Sequence, residues 1–259
     1  IYVAGGSQAA LQAAVDSDSD YFEVYDESTA YGYSNNAFPG IGNTESIYTL
    51  QYYDNYDALD LGMFDAGDDR YEFDNDEIDF MHLENDHECT KVKGLPTVNW
   101  TKVPLNSETV EDDGLASVTY YNIYEQPIQV ITDNHLGGYD IVSSRVNFTG
   151  DVETTNEKHI VEGEETEIKQ WFTYDRAKRL TNITHQINGA YPYQLLLNKY
   201  NELGQLRRKK LHNGLKEVEN TYNIRGWLTD INDIDKFTED ELFAMRLDYN
   251  TAEEYPQYN

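Results

Sequence analysis

The sequence predicts an all-β fold, an antiparallel β-meander built from repeats, and three observations carry that expectation. One short phrase occurs twice in close succession, YNELGQL at Tyr200–Leu206 and YNIRGWL at Tyr222–Leu228: Tyr, Asn or Asp, two variable residues, Gly, one variable residue, Leu. Looser copies begin at Tyr121, Val146, Tyr174 and Tyr249, so successive starts lie 25, 28, 26, 22 and 27 residues apart. Between the copies stand turn signals of another kind: Glu162-Gly163, Asn188-Gly189 and Asn213-Gly214. A period of this length points to an array of similar units.

Each position of the phrase has a physical task. Asn or Asp opening a type I turn bonds its own backbone two residues on, and Gly three residues later takes the positive φ of a G1 bulge. The predicted turn residues are therefore Asn122, Asn147 with Gly150, Asp175, Asn201 with Gly204, and Asn223 with Gly226, while Glu125 and Lys178 stand where Gly is expected. Asn213-Gly214 is a strong hairpin signal for the opposite turns. Tyr and Leu flank the turn as a facing pair, so the wall of the meander is expected to hold Tyr121, Tyr174 with Leu180, Tyr200 with Leu206, and Tyr222 with Leu228.

Three regions are expected. Residues 1–61 form a Tyr- and Asn-rich N-terminal part. Its Ala-rich start favours a short helix capped by Ser7, with strand-like pieces at Tyr21–Tyr25 and Ser46–Tyr53. Tyr52–Leu61 reads as a degenerate repeat with Asp57 in the Gly position. Residues 62–114 comprise an acidic, unpatterned insertion to Thr90 and a transition containing Pro96 and Pro104. Residues 115–259 are the regular repeats. Along their strands Leu206, Arg208 and Lys210 alternate with Arg207, Lys209 and Leu211, and Val218, Asn220 and Tyr222 alternate with Glu217, Glu219 and Thr221. Neither face reads as cleanly apolar, which favours a single curved sheet with a polar lumen over a packed sandwich.

The formal net charge of −29 opposes binding to nucleic acid or to anionic membranes. Tyr, at 22 residues, suggests strands and half-wet surfaces more than a dry core. Cys89 stands alone, so no internal disulfide forms, and no apolar run reaches the roughly 18 residues of a membrane span. Ile1 is not an initiator Met, and Asp248-Tyr249-Asn250 reads as the start of another unit, so the chain is expected to be an internal piece of a longer protein.

The chemistry sought is not found. Asp16, Asp18, Asp20 and Glu27 have the spacing of a calcium loop, but Tyr21 occupies the position that needs Gly. His82, His87 and Cys89 lack a second close pair of metal ligands. His135, His159, His185 and His212 read as surface or lumen residues; Asp74–Asp79 lacks EF-hand register, and an enzyme using the acidic region Asp65–Asp79 with a metal is the third and weakest reading. Trp100, Trp171 and Trp227 read as structural rather than as sugar platforms, and Asn99, Asn147 and Asn182 head N-x-T sequons. No catalytic residue, cofactor site or metal site is assigned, and no enzyme activity is expected.

The residues from Leu115 to Tyr249 resemble the Rhs, or YD-repeat, family. The likeness rests on the phased units and on TDNHLGGYDIV, QWFTYDRAKRL, THQING and NTYNIRGWLTDIND; upstream, GYSNNAFPG and TKVKGLPT are similar to what precedes such repeats. The resemblance implies part of a spiralling hollow β-shell in a large exported bacterial protein. Such a shell encloses and protects a C-terminal cargo, a toxin or effector, of the same polypeptide. Implied further are a secreted or cell-surface location and the type 9 outer-membrane translocon as a partner. The family's C-terminal segment that seals the shell and cleaves the chain is lacking here, so autoproteolysis and toxin activity do not carry over. The alternative reading is a cell-surface adhesin that binds carbohydrate or protein through its Tyr and Trp side chains.

Overall fold

The computed structural model describes residues 8–17, 22–37, 47–61, 64, 69–74, 91–103, 114–236 and 243–249. Ser7, Asp18, Asp20, Tyr21, Asp65, Asp79, His82, His87, Cys89, Pro104 and Asn250, on which several sequence expectations fall, lie outside them. Among the described residues a helix, α1 (Gln8–Ser17), is followed by thirteen strands: β1 (Thr49–Asp54), β2 (Val92–Lys102), β3 (Gly114–Tyr121), β4 (Pro127–Asp133), β5 (Tyr139–Val146), β6 (Val152–Val161), β7 (Glu164–Tyr174), β8 (Leu180–Ile187), β9 (Tyr193–Tyr200), β10 (Leu206–Leu211), β11 (Lys216–Tyr222), β12 (Leu228–Ile231) and β13 (Met245–Arg246). They follow one another in the sheet in chain order, without a crossover, as an antiparallel meander.

The chain divides into two compact units. The first comprises residues 1–143 with 159–165. Its core is a register row across five strands: Tyr52 opposite Val98, Val98 opposite Val118, Val118 opposite Ile131, and Ile131 opposite Ile141. Opposed residues of antiparallel strands share a face, and all five side chains are buried. Ala58, Leu61, Phe64 and Tyr71 complete that core.

Tyrosine here departs from the half-wet role expected of it. Tyr52, Tyr71, Tyr120 and Tyr121 are buried, and each hydroxyl finds a partner. Tyr52 donates to Tyr31 O at 2.7 Å, Tyr71 to Asp133 Oδ2 at 2.6 Å, Tyr120 to Tyr71 O at 2.6 Å and Tyr121 to Pro96 O at 2.7 Å. Burial pushes the Tyr52 hydroxyl far above its ordinary range, which keeps it a neutral donor. Rings stack as well, Tyr33 on Tyr52 at 5.2 Å and Tyr56 on Tyr120 at 4.7 Å.

Three expectations for this part are corrected. Tyr52–Leu61 does not form a repeat hairpin: Asp54 takes φ +76°, and Asp57 opens a 3-10 turn, Asp57–Asp60, that carries Ala58 and Leu61 into the core. The stretch read as a transition is β2, eleven residues long, with Pro96 opposite Tyr53 at a register shift, an irregularity of the kind at which a strand tolerates proline. Within the acidic insertion, Phe64 and Tyr71 are core residues. Of the strand-like piece expected at Tyr21–Tyr25, the described residues 22–25 hold an isolated bridge from Tyr25 to Tyr33.

The second unit comprises residues 144–158 and 166–259. Its described buried residues, Thr154, Asn156 and Asn232, are polar, and its large apolar side chains stay partly exposed. It is a single layer of sheet. Neither face is cleanly apolar, since Lys209 and Lys216 share the face of Leu211 while Leu197 lies opposite Lys210, but the register gives the two faces different characters. Phe172, Ile183, Leu196 and Leu211 form one row of opposed residues. The other face holds Arg208, Lys210, Glu217 and Glu219, with Glu217 at 2.7 Å from Arg208 and 3.1 Å from Lys210. The position of Leu206 is set by a bulge between Leu206 and Arg208, where the alternation slips by one residue. Leu206 thereby joins Lys209 and Leu211, not Arg208 and Lys210.

Candidate functional site

The sequence-predicted residues assemble into two recurring devices rather than a catalytic cluster. The first is the turn. Asn201 receives the Gly204 N–H on its carbonyl at 3.0 Å and donates its own N–H to Gln205 O at 2.9 Å. Its Oδ1 accepts the N–H groups of Leu203 (3.0 Å) and Gln205 (2.9 Å), and Gly204 takes φ +85°. This is a type I turn closed by a G1 bulge. Asn122, Asn147, Asp175 and Asn223 make the same side-chain bonds to the residues two and four positions on. Glu125 and Lys178 occupy the Gly position at φ +61° and +59°.

In four of the five turns the side chain of the fifth residue pairs with that of the first, a pairing the sequence reading missed, whereas Trp227 stands fifth after Asn223. With Asn first, the amide donates to Gln126, Asp151 or Gln205. With Asp175 first, Arg179 Nε donates to the carboxylate at 2.6 Å. The Arg179 side chain is the main cause holding the Asp175 carboxyl below its ordinary value, helped by the backbone N–H groups of Arg179 and Ala177. Asn134, four residues before Gly138, builds the same turn without a preceding Tyr. Its Asn-x-x-Gly spacing is visible in the sequence and could have been found.

The second device links one repeat to the next. Tyr200 faces Leu206 and Tyr222 faces Leu228 across their turns, as Tyr174 faces Leu180 and Tyr121 faces Pro127. The hydroxyl, however, reaches back to the preceding unit. Tyr174 donates to Val152 O, Tyr200 to Leu180 O, Tyr222 to Leu206 O and Tyr249 to Leu228 O, each at 2.8 Å. The residue before Leu adds to this link: the Arg179 guanidinium lies 4.5 Å from the Tyr200 ring centre, Gln205 Nε2 donates to Gly226 O, and Trp227 meets Tyr249 at 5.0 Å.

The opposite turns use a different clip. Asn188, Asn213 and Asn232, all at positive φ, each accept a backbone N–H of the preceding strand on Oδ1 and donate their own N–H to the same residue's carbonyl. The strand residues so held are Glu167, Gln194 and Glu219. Asn213-Gly214 is not a two-residue turn. Leu211 pairs with Lys216, so His212 to Leu215 form a four-residue loop in which His212, Asn213 and Gly214 all have positive φ.

Other candidate groups are not brought together. Asp16 lies in the last turn of α1, where Gln12 Nε2 donates to it at 2.8 Å. Among the described residues no group of three or more His, Cys, Asp or Glu could hold a metal ion. His135 and His212 lie exposed in turns, His159 pairs with Asp140 at 2.5 Å, and His185 packs edge-on to Tyr193 at 4.9 Å. A cleft runs beside Trp227, Arg246 and Tyr249, but Arg225 lies over the Trp227 ring at 5.1 Å and Tyr249 packs against it, so the indole is no free stacking platform. The Asn147 side chain is consumed by its turn bonds despite its sequon. No described helix is long and apolar enough to cross a membrane. No protein-family model matches the chain, and no curated protein matches it.

Proposed function

We propose that this chain is a non-catalytic wall segment of an Rhs-type YD-repeat β-shell, which encloses and protects a C-terminal toxin or effector domain of the same large secreted polypeptide. The observation that carries the reading is the ladder in which each repeat's Tyr hydroxyl bonds the bulge-side carbonyl of the repeat before it. Such a ladder makes neighbouring hairpins one continuous layer. The layer works by exclusion: its backbone groups are paired, so a protease finds few loose segments and an enclosed domain stays out of contact with the producing cell. A sheet with an apolar row on one face and ion pairs on the other, and with no described apolar side chain fully buried in the second unit, suits a boundary between an interior and water better than it suits a domain with its own core. Export to the cell surface or beyond, with the type 9 translocon as partner, belongs to the same proposal.

Electron microscopy of the intact native protein tests it. A closed hollow particle with internal density is the expected result. An open or solid array would overturn encapsulation and favour the adhesin reading, to be pursued by screening glycans against the tyrosine-rich surface.

A further inference from the structure

We infer that Asn188 is a self-modifying site, at which the folded chain slowly converts its own side-chain amide to a carboxylate and releases ammonia. The chemistry is intramolecular. The Gly189 backbone N–H gives its proton to water, and the nitrogen attacks Asn188 Cγ. A C–N bond forms, a five-membered imide closes, the Cγ–Nδ2 bond breaks and ammonia leaves. Water then adds to either imide carbonyl and opens the ring, leaving Asp at this position or its isomer in which the main chain runs through Cβ. Nothing is oxidised or reduced, and water is the co-reactant.

Glycine in the next position leaves the attacking nitrogen unhindered, and the chain has two such pairs, Asn188-Gly189 and Asn213-Gly214. Both asparagines are exposed and at positive φ. Both side-chain carbonyls accept a backbone N–H, from Glu167 at 2.7 Å and from Gln194 at 2.8 Å. A donor so placed stabilises the negative charge that builds on Oδ1 as Cγ becomes tetrahedral. The sites differ at the nucleophile. The Gly214 N–H donates to Leu211 O at 3.1 Å, which ties that nitrogen into its loop. The Gly189 N–H has no hydrogen-bond partner among the described residues, and it is Ala190 that donates to Ile187 O, at 2.9 Å. Gly189 is also uncrowded, since a Cβ added there would meet nothing within 4 Å. Attack on Asn213 requires a loop bond to break first, whereas attack on Asn188 does not. Asn232, the third clip residue, is buried and precedes Asp233 in place of Gly.

The fold tolerates the product. Asn188 lies in water, and a carboxylate oxygen in its place still accepts the Glu167 N–H. The turn 188–192 contains no Asp, Glu, Lys or Arg, so the new carboxylate is its sole charge. The clip from β7 to the turn between β8 and β9 thereby passes from a neutral to a charged form with age. The reaction needs neither cargo nor partner and stands apart from encapsulation.

Incubation of the full chain in mildly alkaline buffer, with peptide mass spectrometry following the one-dalton gain at each asparagine, tests the inference. The same chain unfolded in urea supplies each site's unprotected rate, and dividing by it removes the influence of flanking residues. The normalised rate at Asn188 is expected to exceed that at Asn213 by about 2- to 10-fold, the effect of one backbone hydrogen bond. Asn188→Gln, whose longer side chain would have to close a six-membered ring, is expected to abolish the gain in its own peptide and leave that of Asn213 unchanged. Unchanged circular dichroism of the aged chain is expected, because the reaction occurs in the folded state. Equal normalised rates, a faster Asn213, persistence of the gain in Asn188→Gln, or conversion only as the fold is lost would each overturn the inference.

Discussion

The hydroxyl of Tyr222 donates to the backbone carbonyl of Leu206 at 2.8 Å, tying the first residue of one turn phrase to the last residue of the phrase before it. The backbone ladder between β10 and β11 has by then ended, at Arg208 opposite Glu219. Side chains take over beyond that point, and Asn220 Nδ2 donates to the same carbonyl at 3.0 Å. Leu180 O is served identically by Tyr200 and Asn198, where the β8/β9 ladder has ended at Asn182 opposite Leu197. The turn that joins β9 to β10 leaves β10 and β11 unjoined at that edge, and the Tyr and Asn side chains close the gap.

Tyr222→Phe removes one donor from that carbonyl and is expected to cost about 1 kcal/mol, with Asn220 still bound. Adding Asn220→Ala empties the carbonyl, and the pair is expected to cost more than the two single changes summed. Urea unfolding of all three variants measures this through the midpoint at constant m-value. Strict additivity would mean that the two donors do not share an acceptor in solution.

Gly204→Val places a β-branched residue at φ +85°, with its new Cβ 3.1 Å from Arg179 Nη1. A loss of roughly 1–3 kcal/mol is expected. Gly204→Asn, whose side chain tolerates that backbone region, is expected to lose less than about 1 kcal/mol. Equal melting temperatures for the two variants would refute the bulge assignment.

Asn232 is buried, with Oδ1 accepting Glu219 N–H at 2.8 Å and Nδ2 donating to Phe243 O at 2.5 Å. Asn232→Ala orphans both backbone groups and is expected to cost about 1–3 kcal/mol. Asn188→Ala is expected to cost under about 1 kcal/mol, because Asn188 lies exposed and water can replace its amide. Thermal unfolding compares them, and a reversed order would show that burial does not govern the clip.

The Asp175 carboxyl, held down chiefly by the Arg179 side chain, has a folded-state value below its ordinary 3.8. Its contribution to stability is therefore fully present above pH 3.8 and disappears as pH falls through the lower folded value. Asp175→Asn keeps the turn, as Asn does in the sister turns, but cannot titrate. Melting temperature followed downward from pH 5 is expected to fall less steeply in that variant than in the wild type. Parallel curves would show that Arg179 does not hold the carboxylate in solution.

The sequence by itself determined the parts whose causes are local. Asn201, Gly204, Asn223 and Gly226 specify a turn through bonds spanning at most four residues, so the meander and its phase were legible from composition and spacing. Asn134 and the matched fifth residues were equally local; Asn134 was overlooked because it lacks the flanking Tyr, and the fifth residues because the phrase leaves that position variable. Only the tertiary structure decided the rest. That Tyr222 serves Leu206 depends on where the neighbouring ladder stops. That Leu206 shares a face with Leu211 depends on a bulge that shifts the alternation by one. That Tyr52, Phe64 and Tyr71 close a core over Val98 and Val118 depends on chain segments distant in sequence. Short-range bonds are encoded by the residues that make them, whereas the face a side chain shares and the carbonyl it reaches exist only once the strands are in register.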